Sequence, residues 1–117
     1  MCLLLVVDDD DLLRSAMAAM LARLGHEIIQ ARDGLEALTI YQAKHPEIHL
    51  IIMDIMMPKM NGIAATRAIK EVHPSAKIIL MSGRPGQGFP MEADAFLSKP
   101  FMSKALYETV EQVLKMA

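Results

Sequence analysis

The chain is poor in the features that stabilise secreted domains or span membranes. Cys2 is the only cysteine among the 117 residues, so no internal disulfide can form. A single cysteine suits the reducing cytosol, and we expect a cytoplasmic location. No apolar run approaches the roughly 18 residues of a membrane-spanning helix, and the N-terminus lacks the basic segment of a signal peptide. The sequence therefore predicts neither a membrane protein nor a secreted one.

An excess of one charge is also lacking. The formal net charge is −2, whereas a surface that coats nucleic acid needs a strong positive excess. Direct nucleic-acid binding is therefore not expected. The composition, 53% apolar and 22% charged, is typical of a globular protein, and the length suits one domain. We expect one domain over residues 1–117, with no internal repeat, linker or effector domain.

Short apolar runs alternate with helical patterns along the chain. Aliphatic runs predict buried strands, and apolar residues at three- and four-residue spacing predict amphipathic helices. The strands are predicted at Leu3–Val7, Glu27–Ala31, His49–Met53, Lys77–Met81 and Ala95–Ser98. The helices are predicted from about Asp10 to Leu24, over Leu35–Lys44 after a cap at Asp33-Gly34, from a cap at Asn61 to His73, and over Ser103–Met116. This alternation implies βαβ units, and hence an α/β fold with a parallel sheet.

The crossover between the last two strands differs from the others. The segment from Gly83 to Ala93 contains three glycines and two prolines. It barely reaches the length of about 10–12 residues that a crossover with a helix needs, and an interior proline costs a helix about 3 kcal/mol. A loop is predicted here, with at most one helical turn near Met91–Ala93.

Polar residues follow four of the predicted strands. Asp8 and Asp9 follow the first strand, Asp54 the third, Ser82 the fourth, and Lys99 the fifth. Because the carboxyl ends of parallel strands share one edge, where open α/β sheets place their sites, these side chains are expected to converge.

Crowded carboxylates need a compensating charge. Each pair at about 4 Å repels by roughly 1 kcal/mol in water and more in a protein. Oxygen ligands without histidine or cysteine favour a hard cation such as Mg²⁺, and Lys99 can bind a phosphoryl oxygen. A carboxylate nucleophile, a divalent cation and a lysine together suit phosphoryl transfer onto aspartate.

Four short motifs carry a resemblance to a known family. They are Val6-Val7-Asp8-Asp9, Met53-Asp54-Ile55-Met56-Met57-Pro58-Lys59-Met60-Asn61-Gly62, Ser82-Gly83 and Lys99-Pro100-Phe101. In this order they resemble the CheY-like receiver domain of response regulators in two-component signalling, over essentially the whole chain. The resemblance implies a flavodoxin-like, doubly wound five-stranded parallel sheet with strand order 2-1-3-4-5. The composition of the Gly83–Ala93 crossover predicts that the fourth helix of this fold is short or missing.

The resemblance also implies a metal site. Asp54 would be the phosphoacceptor, and Asp9, Asp54 and the backbone carbonyl of Met56 would bind Mg²⁺ directly. Asp8 would act partly through water.

Further roles follow from the same resemblance. Ser82 would be the switch hydroxyl, and Lys99 would contact the phosphoryl group. The Lys99–Pro100 peptide is expected to be cis, as is common in the family. Phe96 stands where the family has a rotating aromatic residue, often tyrosine; it lacks the hydroxyl, and plain packing is the alternative interpretation. Asn61 replaces a frequent aspartate, and Gly83 stands where alanine is usual.

The expected partners are a sensor histidine kinase or a histidine phosphotransfer protein, and a downstream protein or a second copy of the chain. Apolar surface around Phe89, Met91 and Phe96 is a candidate contact for either a partner protein or a second copy. One alternative is a degenerate receiver that acts only as a binding module. Another is a haloacid-dehalogenase-like phosphatase, although Asp54 has no acid two residues later. The histidines show no ligand spacing and are interpreted as surface residues: His26, His45, His49 and His73.

Overall fold

Five parallel strands form one sheet in the computed structural model, which describes residues 2–83 and 92–116. The strands are β1 (Leu3–Val7), β2 (Glu27–Ala31), β3 (Leu50–Asp54), β4 (Ile78–Ser82) and β5 (Ala95–Ser98). Their order across the sheet is β2-β1-β3-β4-β5, and every neighbouring pair is parallel. The predicted fold class and strand order are confirmed.

Polar residues begin three of the helices. The described residues contain α1 (Asp11–Ala22), α2 (Gly34–Lys44), α3 (Gly62–Val72) and α4 (Ser103–Leu114). Asp10, Asp33 and Asn61 accept hydrogen bonds from backbone amides in the first turns of α1, α2 and α3. Such caps satisfy amides that have no partner within the helix. The caps predicted at Asp33 and Asn61 are confirmed.

The sheet is covered on both faces. Successive residues of a strand point to opposite sides, so Leu5 and Val7 of β1 pack with α2 and α3, whereas Leu4 and Val6 pack with α1 and α4. Burial on both sides explains why the strands are continuous aliphatic runs rather than alternating ones. It also leaves the strand ends as the places where polar side chains can gather.

Some predicted element ends were wrong by one or two residues. β3 includes Asp54, which pairs with Met81, and β4 continues through Ser82. The ladder extends because the amide of Ile55 donates to the carbonyl of Met81 at 2.9 Å. Polar residues can end a buried strand when they face a site. The first and last helices end earlier than predicted, α1 at Ala22 and α4 at Leu114.

The crossover before β5 lies mostly outside the described residues. The prediction for Gly83–Ala93, including the apolar residues Phe89 and Met91, therefore falls largely on residues 84–91, which the structure does not describe. Asp94 anchors the end of the crossover, since its amide donates to Ile78 and its carboxylate accepts from the Ile78 amide, each at 2.8 Å. Within the described ranges, no helix lies between β4 and β5, and none is long and apolar enough to cross a membrane.

Candidate phosphoacceptor and metal site

The predicted site residues lie at one edge of the sheet. Asp8 follows β1, Asp54 ends β3, Ser82 ends β4 and Lys99 follows β5. Register aligns these ends, because Val7 pairs with Met53, Asp54 with Met81 and Ser82 with Ser98. The parallel sheet thus brings together polar residues that are far apart in the sequence.

Asp8 forms hydrogen bonds through its backbone amide and through both carboxylate oxygens. Its amide donates to the carbonyl of Ala31 at 3.1 Å, which continues the ladder between β1 and β2. One carboxylate oxygen accepts from the amide of Asp10 at 2.9 Å, and the other accepts from Nζ of Lys99 at 2.9 Å. The side chain is fully buried. A buried carboxylate needs such partners, because an unpaired one would be strongly disfavoured.

Lys99 forms ion pairs with the acids at the carboxyl ends of β1 and β3. Its ammonium lies 2.9 Å from Oδ2 of Asp8 and 3.3 Å from Oδ1 of Asp54. Although burial opposes its charge, the hydrogen bond to Asp8 and the charges of Asp54 and Asp8 raise the pKa of Lys99. The ammonium therefore stays charged at neutral pH. The peptide between Lys99 and Pro100 is cis, as predicted.

Three carboxylates form an acidic cluster. Asp8, Asp9 and Asp54 each place one oxygen within 4.8 Å of the other two, and Asp9 is the exposed member. Burial raises the pKa of the Asp54 carboxyl; Lys99 partly opposes this shift, whereas the charges of Asp8 and Asp9 add to it. An all-oxygen donor set of this size and charge fits a hard divalent cation such as Mg²⁺.

The loop between β3 and α3 is held against the start of α2. The amide of Gly34 donates to the carbonyl of Met60 at 3.1 Å, and Lys59 lies 3.8 Å from Asp33. Lys59 has a positive φ of 66°, a conformation that few residues other than glycine adopt. A Cβ at Gly34 would overlap the Met60 carbonyl, so glycine permits this close approach.

The other predicted site residues lie around this edge. Met56 is two residues past Asp54, on the loop that leaves the site. The Ser82 side chain is buried, and its carbonyl accepts from the amide of Lys99 at 2.8 Å. Phe96, which pairs with Leu80, is 41% exposed and borders a surface groove of about 490 Å³ with Pro100. The switch roles of Ser82 and Phe96 and the ligand role of Met56 stay predictions.

Sequence reasoning missed Arg14. This residue of α1 is buried, and its guanidinium donates to the carbonyl of Asp8 at 2.8 Å. A pattern in the sequence could have revealed it: Arg14 lies three, four and seven residues before Met17, Ala18 and Leu21, which form the buried face of α1. An arginine at such a position is buried with its charge and needs polar partners inside the fold.

The four histidines lie away from the acidic cluster, but they are more than surface residues. His26 and His49 accept hydrogen bonds from the amides of Cys2 and Leu3, at 3.3 and 2.9 Å. They hold the chain where it enters β1. His73 contacts the hydroxyl of Tyr41 at 3.0 Å, and the rings of His45 and His73 lie 5.6 Å apart. The interpretation as ordinary surface residues was too simple, since His49 is exposed but the other three are half-buried.

The fold and the site together define the class of the protein. The family model described as "Response regulator receiver domain" matches residues 4–111. The chain therefore belongs to the response regulator receiver domains, the CheY-like signalling domains of two-component systems.

Individual relatives agree with this assignment. The chemotaxis protein CheY of Thermotoga maritima is 35% identical over 117 residues, an alignment that covers 95% of this chain and 96% of CheY. The sensor kinase CckA of Brucella abortus is 34% identical over 116 residues, which is 95% of this chain but 12% of the kinase. The chain also spans about half the length of two matched transcriptional regulators.

A solved structure extends the similarity to three dimensions. The complex of CheX with CheY, BeF₃ and Mg²⁺ from Borrelia burgdorferi contains a chain that is 28% identical to this one. The two chains superpose with a TM-score of 0.92, over 98% of this chain and 90% of the other. The described fold is therefore that of a CheY-like protein.

Proposed function

We propose that the whole chain, residues 1–117, is a receiver domain that accepts a phosphoryl group on Asp54. The donor would be a phosphohistidine of a sensor histidine kinase or of a histidine phosphotransfer protein. The observation that carries the proposal is the surroundings of Asp54: a lysine ammonium at 3.3 Å, and oxygens of Asp8 and Asp9 within 4.8 Å. A buried carboxylate placed between acids and a lysine suits attack on a phosphoryl group.

The proposed transfer needs no other nucleophile. A carboxylate oxygen of Asp54 attacks the phosphorus, and an O–P bond forms while the P–N bond to the donor histidine breaks. The histidine nitrogen keeps the bonding electrons and leaves as part of a neutral imidazole once it is protonated. Lys99, which holds Asp8 and Asp54 before the reaction, is placed to donate to an oxygen of the transferred group. The product is an acyl phosphate.

Mg²⁺ is the proposed cofactor. Asp9, Asp54 and the carbonyl of Met56 would hold it directly, and Asp8 partly through water. When bound, the ion would neutralise negative charge on the phosphoryl oxygens. The fit of the all-oxygen cluster to a hard cation supports this assignment.

The proposed output is a change in partner binding. Ser82 would move its hydroxyl to the phosphoryl group, and Phe96 would follow as the switch aromatic. A downstream protein or a second copy would bind the surface that includes Phe96, rather than nucleic acid or a membrane. On this proposal the domain assists its own phosphorylation and dephosphorylation, is not otherwise an enzyme, and works in the cytoplasm.

The direct test is incubation with Mg²⁺ and acetyl phosphate, followed by intact-mass measurement. The wild-type chain should gain one phosphoryl group that is stable in acid and labile in base. Asp54→Asn should gain none, whereas Asp11→Asn, which changes an exposed acid in the first turn of α1, should be modified like the wild type.

Other results would favour the alternatives. Modification of Asp54→Asn at the wild-type rate would remove Asp54 as the acceptor. Continuous hydrolysis of a phosphoester such as p-nitrophenyl phosphate would indicate a phosphatase. A wild-type chain that neither binds Mg²⁺ nor gains a phosphoryl group would be a binding module only.

A further inference from the structure

We propose that Arg14 is a positioning residue for the acidic cluster. By binding the carbonyl of Asp8, it fixes the peptide that joins Asp8 to Asp9, and with it the direction of the Asp9 carboxylate. This inference rests on the proposed function, in which Asp9 is a direct ligand of Mg²⁺.

All three guanidinium nitrogens of Arg14 have partners. Nη1 donates to the carbonyl of Asp8 at 2.8 Å, and Nε donates to the side chain of Gln30 at 3.0 Å. Nη2 lies 2.7 Å from the carboxylate of Asp11. Of these contacts, the one with the Asp8 carbonyl is buried, whereas Gln30 and Asp11 are exposed. Water can replace a lost contact at the exposed residues, but the buried carbonyl of Asp8 depends on Arg14 as its donor.

The contact with Asp8 falls at the point where the chain leaves the sheet. The amide of Asp8 is still paired with β2, through the carbonyl of Ala31. The carbonyl of Asp8 points to Arg14 instead, and the next two residues form the turn into α1. Because a peptide unit is planar, holding its carbonyl oxygen also fixes the amide and the Cα of the next residue. Arg14 therefore fixes the position of the Asp9 Cα, from which the carboxylate side chain extends.

Asp9 depends on this restraint more than its neighbours do. The carboxylates of Asp8 and Asp54 are both buried and contact Lys99, whereas Asp9 is exposed. Groups that orient a metal ligand typically change metal affinity about 10- to 100-fold when they are removed. A loss within that range is expected when the Asp8 carbonyl loses its donor.

A purely structural role is the competing explanation. Arg14 also ties α1 to β2 through Gln30, and that tie could be its whole contribution. The two explanations differ in which contact matters. Positioning requires the bond to Asp8, whereas anchoring of α1 requires the bond to Gln30 as well.

The test compares five proteins: wild type, Arg14→Met, Arg14→Lys, Gln30→Met and Asp11→Asn. Mg²⁺ affinity is measured by calorimetry, and exchange of the Asp10 amide is measured by NMR in metal-free protein. The Asp10 amide reports the turn because it donates to Asp8 at 2.9 Å. Arg14→Met should weaken Mg²⁺ binding about 10- to 100-fold and speed exchange at Asp10. Arg14→Lys, which keeps a donor, should recover most of both. Gln30→Met and Asp11→Asn should stay within about twofold of wild type in Mg²⁺ affinity.

Two results would overturn the inference. One is a folded Arg14→Met protein that binds Mg²⁺ as tightly as wild type. The other is an equal loss of affinity in Gln30→Met, which would indicate anchoring of α1. Should Arg14→Met not fold, Arg14→Gln provides the same comparison with a polar side chain. If wild type itself binds no Mg²⁺, the proposed function fails, and the exchange rate of the Asp10 amide then tests the positioning role by itself. Faster exchange in Arg14→Met than in Gln30→Met would support that role. Equal exchange in the two variants would overturn it.

Discussion

The backbone of Gly62 lies directly against the backbone of Asp54. The amide of Gly62 donates to the carbonyl of Ile55 at 2.8 Å. A Cβ at position 62 would come within 2.9 Å of Cα of Ile55 and closer still to the carbonyl oxygen of Asp54. The end of β3 and the start of α3 therefore leave no room for a side chain. Glycine is needed here for close approach of the two backbones.

Replacing this glycine should disturb both stability and the site. Gly62→Ala is expected to lower the free energy of unfolding by about 1–3 kcal/mol, because the backbone of Asp54 and Ile55 must move to admit the methyl group. The same movement should slow Mg²⁺-dependent phosphorylation of Asp54. Urea unfolding and the rate of acyl phosphate formation measure the two effects.

Gly83→Ala is the matched control. A Cβ there would meet Cβ of Lys99 at 3.7 Å, an ordinary van der Waals distance. Its effect on stability should stay within about 0.5 kcal/mol. Equal destabilisation by the two alanines would contradict the close-approach explanation.

Removing the charge of Lys99 should destabilise the metal-free protein. Lys99→Met leaves the buried carboxylates of Asp8 and Asp54 without their shared cation, and breaking such a pair costs about 3 kcal/mol or more. Added Mg²⁺ should restore part of the loss, since a bound cation stabilises the state that binds it. Unfolding midpoints with and without Mg²⁺ check this. Lys104→Met, at an exposed position of α4, should behave like wild type; an Lys99→Met protein as stable as this control without metal would refute the prediction.

Removing the charge of Asp54 should have the opposite effect on stability. Asp54→Asn relieves the repulsion from Asp8 and Asp9 and the burial of a charge, and should raise the free energy of unfolding by about 1 kcal/mol in the absence of metal. The rise in melting temperature caused by Mg²⁺ in the wild type should shrink. Scanning calorimetry with and without Mg²⁺ measures both. A variant less stable than wild type without metal would show that the ion pair with Lys99 outweighs the repulsion.

The lowered pKa of His26 predicts that the stability of the protein depends on pH. Burial lowers the pKa of His26 below its ordinary value of 6.5. The unfolded chain therefore binds the proton more readily than the folded one. The contribution of neutral His26, which accepts the Cys2 amide, is fully present above about pH 6.5 and is lost as the pH falls through the lower folded pKa.

His26→Asn tests this origin. An asparagine oxygen can accept the same amide but does not titrate in this range. Urea unfolding at pH 7.5 and pH 5.5 should show a smaller loss of stability at low pH in the variant than in wild type. An identical loss in the two proteins would assign the effect to other groups.

The sequence predicted the fold well because buried apolar residues recur along the chain with the spacing of the strand or helix they belong to. Aliphatic runs gave β1, β2 and β5 with the observed bounds, and the predicted caps at Asp33 and Asn61 gave the starts of two helices. The ends of β3 and β4 were missed because Asp54 and Ser82 are polar residues in buried strands. Arg14 was missed for a related reason: the role of a charged residue on the buried face of a helix depends on its tertiary contacts, which the local sequence does not show.

The sequence alone determined that strands and helices alternate and that acids, a hydroxyl and a lysine lie at the carboxyl ends of strands in one parallel sheet. Local periodicity and composition carry that information. Only the tertiary structure decided which of these groups touch. Lys99 lies closer to Asp8, 91 positions away in the chain, than to Asp54. Likewise, Arg14 donates a hydrogen bond to the Asp8 carbonyl, and the backbone of Gly62 lies against that of Asp54. Contacts of this kind depend on strand register and helix packing between distant segments, which no local pattern records.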